Sequence, residues 1–158
     1  MKKLNVYLDT SVINFLFAED SPEKKKITEE FFDDYVAKGK FNAYISSVVI
    51  EEIERTKETE KRERLSNVIL KYDLPVIGLT EEGVKLGQKY IKEKIIPEKK
   101  VDDARHLAIA TINEIDVLVS WNYKHLANVN KEKQVIAVNI REGYNYPLRL
   151  TTPLEVMD

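Results

Sequence analysis

Short apolar runs recur along this chain, and most are followed by a segment whose apolar residues repeat at helical spacing. That alternation is the strongest constraint on what the sequence can fold into. Leu4 to Leu8 (LNVYL) reads as a strand stopped by Asp9-Thr10-Ser11, residue types that leave strands and cap helices. Ser21-Pro22-Glu23 opens a helix with a cap, a first-turn proline and an acid; Ile27, Phe31, Phe32, Tyr35 and Val36 share one of its faces, and Gly39 ends it. Phe41 to Ile45 is a second strand, Ser46-Ser47 caps the next helix, and residues 48–72 read as one broken helix or two consecutive ones with a heavily charged outer face. Pro75 to Leu79 is a third strand, and Thr80 opens a helix carrying Val84, Ile91 and Ile95 before Pro97 breaks the chain. Asp102 then caps a helix from Asp103 to about Glu114, and Val117 to Ser120 is a strand too apolar to be two-sided. Val135 to Val138 is read as the fifth strand, with a further extended piece at Tyr146 to Leu150. Short connections between such units imply parallel pairing, right-handed crossovers and helices on both sheet faces. The expectation is an α/β fold of three layers, α/β/α, around a mainly parallel sheet of about five strands, with any site at the strands' carboxyl ends.

A chain of 158 residues makes about one domain, and residues 1–158 are read as one, large enough to bury roughly 70% of its unfolded surface. With 27 acidic against 25 basic residues the charges nearly cancel, so there is no overall pull towards a polyanion. The chain has no cysteine, which excludes disulfides, thiolate zinc sites, iron–sulfur clusters and a cysteine nucleophile, and fits a reducing cytoplasm. Two histidines, His106 and His125, are too few for a three-histidine zinc site, and the five glycines never form GxGxxG or GxxxxGKS/T. Neither an export signal nor an apolar stretch near the ~18 residues of a membrane span is visible. Carboxylates are left as the carriers of any chemistry.

Along the expected carboxyl edge, Asp9 leaves the first strand, Glu51 and Glu52 lie in the first turns after the second, Asp102 and Asp103 begin the helix feeding the fourth, and Asn122 leaves the fourth. Converged in one cleft, these acids repel one another, and a hard divalent cation relieves the repulsion. An all-oxygen donor set suits Mg²⁺ or Mn²⁺. Glu52 follows Val48 and Val49 at helical spacing and is placed nearer the buried edge than Glu51; Asp103 shares a face with Leu107 and is chosen over Asp102, the better cap.

VYLDTSVI around Asp9, ISSVVIEEI around Glu52, DDARHLAIA around Asp103 and DVLVSWNYKHL around Asn122 together resemble the PIN-domain nucleases, most closely the short kind that includes the VapC-type ribonuclease toxins. The resemblance covers nearly the whole chain. It implies that Asp9, Glu52 and Asp103 are metal-binding carboxylates, that Asn122 stands where a fourth acid is often found, and that Thr10 and Ser11 help to orient the first aspartate. It also implies Mg²⁺- or Mn²⁺-dependent hydrolysis of RNA with the phosphate left on the 5′ side, a homodimer, and a small antitoxin protein whose tail enters the active site. A processing nuclease without an antitoxin, and a non-catalytic binding module suggested by Asn122, are the rival readings within the fold. A phosphoacceptor receiver domain fits badly, because the third strand ends in Leu79-Thr80 without an aspartate.

Each residue also has a plainer reading. Asp9 alone is a helix-capping turn residue, Glu52 one more surface glutamate, and Asp103 a helix-start acid favoured by the macrodipole. His106 is either a support for a carboxylate or a buried histidine held by the backbone, and His125 is placed closer to substrate. Trp121 and Tyr123 either stack on bases or pack in the core. Lys57, Lys61, Arg62, Arg64, Lys99, Lys100 and Lys124 are the candidate contacts to a nucleic acid.

Overall fold

The computed structural model describes residues 2–157. Five strands, β1 (Leu4–Leu8), β2 (Phe41–Ser46), β3 (Val76–Ile77), β4 (Val117–Val119) and β5 (Arg149–Thr151), form one sheet in the order β3-β2-β1-β4-β5. Every pairing is parallel. Side chains alternate across the pleat, so Val6 and Leu8 enter the core on one side of the sheet while Tyr7 enters the other; likewise Val117 and Val119 oppose Leu118. One layer of helices, α5 (Glu81–Lys92), α6 (Val101–Ile112) and α7 (Val129–Arg141), covers the Tyr7 and Leu118 face with Leu86, Tyr90, Leu107, Val135 and Val138. The opposite face is covered by α1 (Thr10–Asn14), α4 (Thr59–Lys71) and the wide turn that continues α2 (Pro22–Glu30), through Val12, Phe31, Phe32 and Leu65. Between the layers, α3 (Ser47–Glu54) sends Val48 to one core and Val49 and Ile53 to the other. A last helix, α8 (Pro153–Met157), follows β5. Among the described residues no helix is long and apolar enough to cross a membrane.

Three expectations from the sequence need correction. Residues 135–138 are not a strand but lie within α7, where Val135 and Val138 are buried three residues apart on one face. Four apolar residues cannot by themselves separate a buried strand from a buried helical turn, and the deciding signal lies upstream: the Asn128 side chain accepts a hydrogen bond from Lys131 N and caps the helix. The fifth strand is instead Arg149–Thr151, within and just beyond the extended piece expected at Tyr146 to Leu150. The second correction concerns α6, which starts at Val101 with Lys100 at its cap position, so Asp102 and Asp103 both lie inside its first turn. Strand β3 is also shorter than expected: the Leu79 amide donates to Ser47 Oγ, not to a strand.

From β1 the chain runs outward through β2 to β3, then returns to the other side of β1 for β4 and β5. The crevice above the carboxyl ends of β1 and β4 is therefore the topological switch point of the sheet, where successive crossovers leave in opposite directions. Because the Asn128 cap is what makes residues 129–141 a helix, Asn128→Ala is expected to lower unfolding free energy by about 0.5–2 kcal/mol. Denaturant unfolding followed by far-UV circular dichroism checks this; an unchanged midpoint would deny the cap its role.

Candidate active site

Asp9 follows β1 directly and has extended backbone angles, yet its carboxylate does not cap α1. It is held from both sides instead: Ser11 Oγ donates to Oδ1 and Ser120 Oγ to Oδ2, each at 2.6 Å. The two serines are themselves fixed by backbone donors, Trp121 N to Ser11 Oγ at 2.9 Å and Asn122 N to Ser120 Oγ at 2.9 Å. Asp9 is only 4% exposed. Burial pushes its carboxyl upward, while the nearby His106 and the two hydroxyls pull it back down.

Glu52 turns inward from α3 with its side chain 25% exposed, whereas Glu51 faces solvent. Thr10 Oγ1 donates to Glu52 Oε1 at 2.8 Å, and His106 Nε2 meets the same oxygen at 2.6 Å. The other imidazole nitrogen, Nδ1, is 2.5 Å from the Tyr7 hydroxyl, which in turn lies 2.7 Å from Ser46 Oγ. Ser46 also accepts from Val48 N, so the hydroxyl that starts α3 ends a buried hydrogen-bonded row reaching Glu52. His106 is 1% exposed; burial opposes its charge, but the hydrogen bond to Glu52 and the fields of Glu52, Asp9 and Asp103 outweigh it and lift the imidazole above its ordinary range.

The third carboxylate, Asp103, is partly buried in the first turn of α6, and burial pushes it up to about 6, with Asp9 and Glu52 adding to the rise and His106 and Lys100 opposing it. Asn122 Nδ2 donates to Asp103 Oδ2 at 3.3 Å, while its Oδ1 accepts from His125 N at 3.1 Å. Asn122 thus binds Asp103 with its amide NH₂ and spends its oxygen on closing the turn after β4. Asp102 points elsewhere and pairs with Arg55 at 3.0 Å. Trp121 lies in the core, 5% exposed, with its indole N–H on Thr28 Oγ1 at 2.9 Å; Tyr123, 49% exposed, does not.

Asp9, Glu52, Asp103, Asn122, Thr10 and Ser11 are thus gathered at the switch point, with Thr10 serving Glu52 and Ser11 serving Asp9. Tyr7, Ser46 and Ser120 were not singled out as site residues from the sequence. Ser120 carried a signal, since it follows β4 as Asp9 follows β1 and Leu8 is in register with Val119. Tyr7 carried none, being one aromatic in an apolar strand.

Among the described residues no three acidic or histidine side chains close into a ready-made ion cage. The donors are nevertheless all oxygens, and three carboxylates share the site with a single imidazole, with Glu52 raising both Asp9 and Asp103 and Asp9 also raising Asp103, an excess of acidic groups that a hard cation would offset. In metal-free protein the burial of Asp103, with the repulsion of Asp9 and Glu52 added to it, destabilises the fold. The folded carboxyl of Asp103 titrates above its unfolded range, so its ionisation costs stability as pH rises through the interval between the two, and the cost is fully present above about 6. Asp103→Asn is therefore expected to stabilise chelator-treated protein at pH 8 by roughly 1–3 kcal/mol, with the gain fading as pH falls below about 4. Thermal unfolding of both proteins across pH tests this, and a less stable variant at pH 8 would refute it.

The model of the PIN domain family matches residues 6–144. No curated protein matches the chain. Among solved structures, VapBC2 from Rickettsia felis bound to a DNA fragment from their promoter contains a chain of similar fold, with a TM-score of 0.54, 17% identity, and coverage of 91% of this chain and 96% of that one. The five-stranded parallel fold is thus a known architecture, and this chain belongs to the PIN domain family.

Proposed function

We propose that the chain is a Mg²⁺- or Mn²⁺-dependent endoribonuclease and the toxin of a type II toxin–antitoxin pair. The observation that carries this reading is the convergence of Asp9, Glu52 and Asp103 at the carboxyl end of the sheet, each braced by hydrogen-bond donors that leave carboxylate lone pairs for a further partner. Family membership and the likeness to a chain of a VapBC complex support it. An antitoxin and a homodimer belong to the same reading.

In this proposal Asp9, Glu52 and Asp103 hold the ion. When bound, the ion lowers the pKa of a water, polarises the phosphodiester and stabilises the leaving oxygen. The protein's own part is to hold the three acids in place and oriented. Ser11 and Ser120 fix both oxygens of Asp9, Thr10 and His106 meet the same oxygen of Glu52, and the other is left for an ion. Asn122 holds one oxygen of Asp103 and adds no negative charge where a fourth acid would. Oriented donors of this kind support a reaction because they need no rearrangement as charge develops.

Purified protein is expected to cleave single-stranded RNA with Mn²⁺ and not with chelator, leaving 5′-phosphate ends. Asp9→Asn and Asp103→Asn should each slow cleavage at least about a hundredfold while keeping the native circular dichroism. Cleavage that persists in chelator, or in both variants, would overturn the metal-dependent reading; well-folded protein inert on several RNAs would favour a binding module.

A further inference from the structure

The walls of the cleft differ in charge. On the α3 side, Arg55 is neutralised by Asp102, and Glu51 and Glu54 face solvent. On the other side, Lys99 and Lys100 precede α6 and Lys124 lies in the turn after β4; all three are exposed, and none forms an ion pair with a described residue. Lys131, in the first turn of α7, is held in place by a hydrogen bond from its ammonium to the Ile95 carbonyl. Lys124 and Lys131 line one groove, and the charges of all four lysines lower the His125 imidazole, after burial. Lys100 stands at the cap position of α6 with Asp103 in its first turn, so the basic wall begins beside the carboxylates. An open groove of about 500 Å³, lined by Tyr123, Lys124, Asn128 and Lys131, starts one residue beyond Asn122. A chain with formal net charge −2 thus carries unpaired positive charge on one flank of its acidic site and not on the other.

We propose that this flank, from Lys100 past Lys124 to Lys131, is the track on which single-stranded RNA lies beside the bond to be cut, with backbone phosphates on the lysines and a base on the exposed ring of Tyr123. The inference rests on the nuclease reading above and adds to it where the substrate runs and in what form. Charge complementarity selects a polyanion. The aromatic ring in the same groove selects an unpaired strand, because a base buried in a duplex cannot offer its face to a side chain. Carboxylates at the bottom of the cleft repel phosphate until they are neutralised, so attraction has to come from the flank.

The test uses fluorescence anisotropy of a labelled oligo-uridine strand on intact protein in chelator, together with cleavage kinetics in Mn²⁺. Lys100→Glu/Lys124→Glu is expected to weaken binding at least tenfold and to reduce the slope of log Kd against log salt by about 1.4, the value for two lost phosphate contacts on a single strand. Tyr123→Ala is expected to weaken binding several-fold with the salt slope unchanged. In cleavage, both variants should raise KM and leave kcat near that of the wild type. Lys85→Glu/Lys89→Glu, exposed and charge-matched on α5, should behave as wild type. If wild type cleaves but the flank variants match it, or if the control loses as much, the track is wrong and the nuclease reading stands; a flank indifferent to RNA then belongs to a protein partner. If wild type neither binds nor cleaves RNA, the nuclease reading falls and the track with it. Duplex RNA bound as tightly as the single strand would overturn the assignment to an unpaired strand.

Discussion

A carboxylate almost fully withdrawn from water needs its solvation rebuilt by the protein, and at Asp9 that requirement organises the surrounding backbone. Two serine hydroxyls supply the donors, and each serine is oriented by an amide from the turn after β4. The register of β1 with β4 and the path of residues 120–122 are therefore coupled to the charge of one side chain. A slip of one residue would swap the faces of β4 and remove Ser120 from the carboxylate. Hydrophobic alternation sets that register from below the sheet edge, and the Asp9 hydrogen bonds set it from above.

Glu52 is placed by a different device. Its support passes through His106 and Tyr7 to Ser46, all buried, so the orientation of a partly exposed acid is determined by groups that never meet solvent. The same imidazole is the positive charge that most relieves Asp9 and Asp103. It serves all three carboxylates at once, which explains a buried histidine on a helix otherwise packed with alanine, leucine and isoleucine.

Much of this was legible in the sequence. Strands β1 and β2 showed through because LNVYL and FNAYI are apolar runs ended by capping residues, and the acids at their ends followed from the rule that parallel sheets carry their sites there. Glu52 was separable from Glu51 because helical spacing from Val48 and Val49 is a local property. The fifth strand was not legible: VIAV has the composition of a strand, and its helical state depends on a cap seven residues upstream and on a face shared with α5 and α6. The partners of Asp9 and Glu52 were hidden for a related reason. Ser120 lies 111 residues from Asp9, His106 lies 54 from Glu52, and Tyr7 reaches His106 across 99, separations that no window of sequence spans. Of the basic residues, local reading could name Lys99, Lys100 and Lys124 as easily as those in and just before the first turns of α4; it could not show that Lys131 joins them.

The sheet closes on edges of very different reach from its centre. Strand β3 has two residues and β5 three, against five in β1 and six in β2. A two- or three-residue margin exposes too few peptide groups to template another strand, so this protein offers little purchase for extension by β-augmentation or for edge-to-edge aggregation. Association with a second chain is thereby directed to side chains on the helical layers and the rim of the cleft, surfaces whose charge and shape can be selected without disturbing the hydrogen-bonded sheet beneath them.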